Sequence, residues 1–161
     1  MSQSHATATP AMRPGRLRNS ASSGFILLCS LQGFYFLITG VWPLVSIETF
    51  QAVTGQKTDH LVTGRESDHW LVNTVGVLVT ANSLVLLLAA WWGRPTPDVI
   101  LLGVASAVGL ITIDVIYVSR EVLAPVYLAD AAIELLFVAG WIWVAMRMAM
   151  TVPGPMEAMY E

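Results

Sequence analysis

Asp114, Asp130 and Glu134 are the residues in this chain best placed to do chemistry, because each sets a carboxyl group into an otherwise lipid-soluble stretch. Asp114 sits near the end of one apolar run, and Asp130 and Glu134 sit near the start of the next. Between the runs, SREVLAP is a short break rich in charge and closed by a proline. If both runs are membrane helices, the break makes them a hairpin, with Asp114 and Asp130 at similar depth on antiparallel neighbours. Ionisable groups at such depth are costly, so they turn toward a bundle interior or a wet cavity and mark a candidate site. Three acids this close do not all ionise, since desolvation and like charges both disfavour the charged form. Arg120, in the adjoining break, is the expected counter-charge. A pocket that holds an acid beside a carboxylate could bind a cation, exchange a proton or work as a general acid–base pair.

Helical spacing decides which groups can meet, because residues three and four apart share a face. Gly103, Ala107, Leu110, Asp114, Tyr117 and Glu121 follow that spacing in one run, and Tyr127, Asp130 and Glu134 follow it in the next. Asn73, Gly76, Thr80 and Ser83 form a small, polar stripe on an earlier run, and Gln32, Tyr35 and Thr39 form one on the first. The candidate ligand pocket therefore comprises Asp114, Tyr117, Arg120, Tyr127, Asp130, Glu134 and Asn73. Hydroxyls and amides on such faces also serve as interhelical glue. Carboxylates are far more expensive to bury, which weighs them toward a site.

The elements that must position these groups are four apolar runs, at 24–45, 70–92, 98–118 and 126–149, each near the roughly 20 residues a spanning helix needs. Of 161 residues, 55% are hydrophobic and 12% charged, and the mean hydropathy is +0.65. Soluble domains carry about 25% charged residues, so this composition belongs to a membrane protein. Spans must be helical, because lipid cannot satisfy free backbone polar groups. The expected fold is all-α, an integral membrane up-down four-helix bundle. The GRPTP break between the second and third spans is a tight turn. Residues 1–23 are polar, with arginine their only charged side chain, and read as a disordered basic tail. A signal peptide is the rival reading, but the first run is longer than a typical h-region and no A-x-A-like site follows it. Residues 150–161 read as a short C-terminal tail.

Lysine and arginine in the loops set the expected orientation. Arg13, Arg16, Arg18, Arg94 and Arg147 fall on one side, against Lys57, Arg65 and Arg120 on the other. The first side is expected to be cytoplasmic, with both termini inside and the acidic hairpin opening outward. Net charge is −3 and no basic cluster exists, which argues against a nucleic-acid partner.

The outer loop holds a tandem repeat, VTGQKTDHL (53–61) followed by VTGRESDHW (62–70). Its nine-residue period is too short for a solenoid and implies a lengthened loop. The stretch SIETFQAVTGQKTD, preceded by YFLITGVWPL and followed by WLVNTVGVLV, resembles a group of small, uncharacterised bacterial four-helix membrane proteins. Members of that group share a TGLWPL-like helix end, a VTGPKTD-like loop and a WLVRTVG-like helix start. The chain departs from the pattern at Gln56, where proline is usual, and at Asn73, where arginine is usual. The resemblance covers most of residues 34–79 and implies a four-helix fold in a bacterial inner membrane; it carries no activity to transfer.

No metal and no cofactor is expected. The di-iron bundle pattern wants Glu-x-x-His on paired helices, and none of the four runs contains a histidine. The Asp59–His60 and Asp68–His69 pairs offer zinc-type donors but match no standard spacing. Phosphate-binding loops, nucleophile elbows and H-E-x-x-H are absent from the sequence. Four readings remain open: a pocket for a small apolar or cationic ligand, an intramembrane isomerase-like enzyme using buried carboxylates as acid and base, cation or proton translocation, and an accessory subunit that packs against a membrane-protein partner. Membrane lipid is the one partner common to all.

Overall fold

The structure, a computed structural model, describes residues 14–55 and 67–150, with side chains over 22–55 and 69–150. It contains five helices: α1 (Pro14–Val45), α2 (Ile47–Thr54), α3 (Ser67–Trp92), α4 (Pro97–Ser119) and α5 (Tyr127–Ala149). No strand occurs among the described residues. Four helices are long and apolar enough to cross a membrane, over Ser22–Val45, His69–Trp92, Pro97–Ser119 and Tyr127–Ala149. The protein is an all-α, multi-pass integral membrane protein.

Local chemistry explains the helix ends. Pro97 opens α4 after Thr96, which is extended at φ −121° and ψ 143°. Proline suits that first position because its missing N–H would have no intrahelical partner there. Gly93 ends α3 at φ +64°, a left-handed conformation that glycine adopts without steric cost. Pro43 lies inside α1, two residues before its end. A proline removes one rung of the hydrogen-bond ladder, and the helix stops one half-turn later.

Two expectations change. Residues 14–23 were expected in the disordered tail, yet α1 begins at Pro14. Once the span has nucleated, each added residue gains a hydrogen bond without a new nucleation cost. Residues 1–13 and 151–161 lie outside the described residues, as does most of the repeat, 56–66. The outer connection was also expected to be loop throughout, but it opens with α2. Ser46 caps that helix by accepting from the Thr49 N–H at 3.4 Å, and Trp42 Nε1 donates to Thr49 Oγ1 at 3.0 Å. The Trp42 and Phe50 rings meet edge to face at 5.8 Å. α2 has no buried residue, so these two contacts, made at the end of α1, hold it there.

α1 is the central helix. It packs most extensively on α3 and also on α5, while α4 packs on α5 and the α3–α4 contact is sparse. All neighbouring spans run antiparallel. Where α1 crosses α3 the backbones nearly touch: a Cβ on Gly40 would stand 2.8 Å from Thr80 N, and one on Gly76 would stand 2.7 Å from Gly40 O. Lipid tails give helices no hydrophobic reason to associate, so close backbone approach between small residues matters more than it would in water. One end of the bundle, here the α2 end, carries α2 and the 120–126 break. The opposite end carries the 93–96 turn, and there Phe25, Cys29, Leu86 and Val144 close the interior with Trp141. Leu27, Leu101 and Leu136 are exposed and face lipid.

Candidate functional site

The candidate site is built on the α4–α5 hairpin and roofed by α1. The spacing of Gly103, Ala107 and Asp114 turns all three inward on α4. On α5, Ala131, Glu134, Trp141 and Val144 form the buried face. Asp114 is 3% exposed and Glu134 is 0% exposed. Asp130 is half-buried, and its Oδ1 accepts a hydrogen bond from the hydroxyl of Tyr35 on α1. Glu134 lies within electrostatic reach of both Asp130 and Asp114. At about 1.5 Å of rise per residue, Asp114 is about 7.5 Å in from the end of α4 and Glu134 about 10 Å in from the start of α5. The acids thus stand in the half of the membrane nearer the α2 end.

Glu134 is the unusual member. Neither carboxyl oxygen has a hydrogen-bond partner among the described residues. A buried polar group without a partner costs about 1–3 kcal/mol by mutational measure, so its retention wants a reason. Ser83 Oγ on α3 is in the same condition. The next layer down is fully satisfied: Trp141 Nε1 donates to Gln32 Oε1 at 2.7 Å, and Gln32 Nε2 donates to the Gly103 carbonyl at 3.0 Å. Gln32 therefore ties α1, α4 and α5 together. Below it the Phe25 and Trp141 rings meet edge to face at 5.8 Å within a cluster of buried apolar side chains, and among the described residues the buried polar side chains are Gln32, Ser83, Asp114 and Glu134. The polar column begins at the α2 end and stops mid-membrane.

Of the seven pocket residues expected from sequence, the structure brings together Asp114, Asp130 and Glu134, with Tyr127 half-buried beside them and its hydroxyl buried. Three lie apart. Arg120 is exposed, its guanidinium 6.0 Å from the ring centroid of Tyr117, and among the described residues it makes no ion pair with the acids. The expected counter-charge is therefore absent, because α4 ends at Ser119 and Arg120 leaves with the chain. Tyr117, one turn beyond Asp114 near the end of α4, is 38% exposed. Asn73 is exposed, near the α2 end of α3 and about one turn from Gly76.

Two residues were missed as members of the site. Tyr35 was read as part of a polar stripe, although a phenol in mid-span must find a partner for its hydroxyl. Trp141 carries the same signal in its indole N–H. No three His, Cys, Asp or Glu side chains among the described residues are placed to share a metal ion. A cleft of about 320 Å³ lies at the α2 end between Gly55 and the 121–125 turn, and another of about 570 Å³ lies between α3 and α4 at the opposite end; neither is lined by the acids.

No family model, curated protein or solved structure matches the chain.

Proposed function

We propose that the protein binds a small organic cation at an acidic intramembrane site that opens toward the α2 end. The observation that carries this reading is Glu134, wholly buried, unpartnered among the described residues, and beside two further carboxyls. An ammonium group would give Glu134 the hydrogen bond it lacks and offset the clustering of acids. The rings of Tyr35 and Phe137, 5.8 Å apart, offer aromatic faces to the apolar part of such a ligand. The apolar plug of Phe25, Leu86 and Val144 argues for a closed-ended site and against translocation, which needs a polar path through both halves. With both termini cytoplasmic in a bacterial inner membrane, the site takes its ligand from the outer leaflet or the periplasm.

The runner-up is an isomerase-like enzyme, favoured by one observation: Tyr35 and Asp130 form a phenol–carboxyl pair able to pass a proton. The test uses hexylamine and its uncharged counterpart 1-hexanol on detergent-solubilised protein. Hexylamine is expected to raise the melting temperature above the 1-hexanol control, and Glu134→Gln is expected to abolish the difference. Equal effects of the two compounds on wild type would overturn the reading.

A further inference from the structure

The cleft of about 570 Å³ at the opposite end of the molecule from the acids combines an apolar wall with two charges of opposite sign. Val85, Leu88 and Ala89 of α3 face Val99 of α4 across it, and Arg94 and Asp98 stand at its rim with Thr96. The two helices are sparsely packed on each other, and the side-chain hydrogen bond that joins them, Asn82 Nδ2 to Ser106 Oγ at 3.3 Å, lies beyond Val85 and more than two turns deeper than the Arg94 and Asp98 rim. A gap of this kind between spans is filled by lipid chains, since a void leaves its lining atoms without contacts.

The rim decides which lipid. Arg94 and Asp98 line one cleft, yet among the described residues neither forms an ion pair, with the other or with any third group. Both are exposed. Trp92, also in the lining and 68% exposed, marks the depth at which indoles sit among lipid headgroups. A lone arginine would suit any phosphate. An aspartate four residues on repels a purely anionic headgroup and calls for a cation next to the phosphate.

We propose that this cleft is a binding site for a zwitterionic aminophospholipid, a phosphatidylethanolamine, with its phosphate on Arg94, its primary ammonium on Asp98 and an acyl chain between α3 and α4. A primary ammonium can donate hydrogen bonds to the carboxylate. The trimethylammonium of phosphatidylcholine cannot, and phosphatidylglycerol has no cation to offer.

The test is native mass spectrometry of the full chain, released from detergent after incubation with dioleoyl phosphatidylethanolamine, phosphatidylcholine or phosphatidylglycerol. Phosphatidylethanolamine is expected to be retained over both others. Arg94→Gln and Asp98→Asn are each expected to lower its retention roughly twofold to fivefold, the range for partly solvated charge pairs, while Arg94→Lys keeps most of it. Circular dichroism of each variant separates lost binding from lost folding, and soluble phosphoethanolamine is expected not to compete because it lacks the chains. Preference for phosphatidylglycerol, equal retention of phosphatidylcholine, or unchanged retention in both neutral variants would each overturn the proposal.

Discussion

Tyr35 on α1 donates its hydroxyl hydrogen to Asp130 on α5, so the central helix is fastened to the acidic hairpin by the site itself. The bond lies between residues 95 apart in sequence and closes the α2-end half of the bundle, while Gln32 and Trp141 close the middle. The candidate site and the architecture therefore share residues on α1 and α5. Glu134 stands between these two layers and belongs to neither.

Replacing Tyr35 with phenylalanine should lower stability by about 1–2 kcal/mol, because a half-buried carboxyl loses its donor while the ring packing against Phe137 survives. The check is thermal unfolding in detergent against wild type. No measurable change would mean that water replaces the phenol and that the site is already wet.

The Gln32 node makes a sharper demand. Gln32→Leu leaves the Trp141 indole N–H buried without an acceptor, a loss of about 1–3 kcal/mol. Trp141→Phe instead leaves Gln32 Oε1 without its donor, while Nε2 still donates to the Gly103 carbonyl. The double variant Gln32→Leu with Trp141→Phe removes both polar groups and should be more stable than the sum of the single losses. Strict additivity in that cycle would show that the two side chains do not depend on each other.

Much of this was legible in the sequence, and the limits have physical causes. The four spans follow from hydropathy and length, and the inward faces of α4 and α5 follow from three-and-four spacing through Asp114 and Glu134. Spacing tells which face a residue occupies. It does not tell what covers the end of a helix, so Asn73 lies in a polar stripe yet is exposed, and Arg120, expected as a counter-charge because it follows α4 in the break, is exposed as well. The partnership of Tyr35 with Asp130 depends on the α1–α5 register, which no local pattern encodes. α2 escaped notice because eight residues are too few for periodicity to separate a short surface helix from a loop.

Two glycines on one helix give a matched pair of substitutions. A Cβ on Gly103 would stand 2.6 Å from Trp141 Cε2 and Nε1, while a Cβ on Gly109 meets nothing within 4 Å. The indole is held by Gln32 and cannot easily yield, so Gly103→Ala should cost about 1–3 kcal/mol by overpacking. Gly109→Ala should be neutral or stabilising by up to about 1 kcal/mol, because alanine is the better helix former. Equal behaviour of the two variants in a detergent melt would mean that α4 can shift on α5 at no cost.

Orientation is tested by labelling in whole cells, in a Cys29→Ser background. Val122, 62% exposed in the α4–α5 break, should as Val122→Cys react with an impermeant maleimide added outside. Thr96→Cys, in the turn at the opposite end, should react only after the cells are opened. The reverse pattern would place the acidic end in the cytoplasm and move the ligand's source with it.

The last prediction separates site from scaffold at Glu134. If this residue is kept for a ligand, the fold bears its unpartnered burial as a cost, and an apolar side chain of similar size should relieve it. Glu134→Leu is then expected to raise stability by about 1–3 kcal/mol and to abolish the stabilisation by hexylamine. Asp130→Asn makes the contrast, since the amide oxygen still accepts from Tyr35 and stability should fall by no more than about 1 kcal/mol. If Glu134 instead holds the bundle together, Glu134→Leu must destabilise it, because a structural partner would be left behind without its acceptor. Melting curves of the two variants beside wild type decide the matter: a rise for Glu134→Leu supports a binding site, and a drop larger than that of Asp130→Asn assigns the residue to the scaffold.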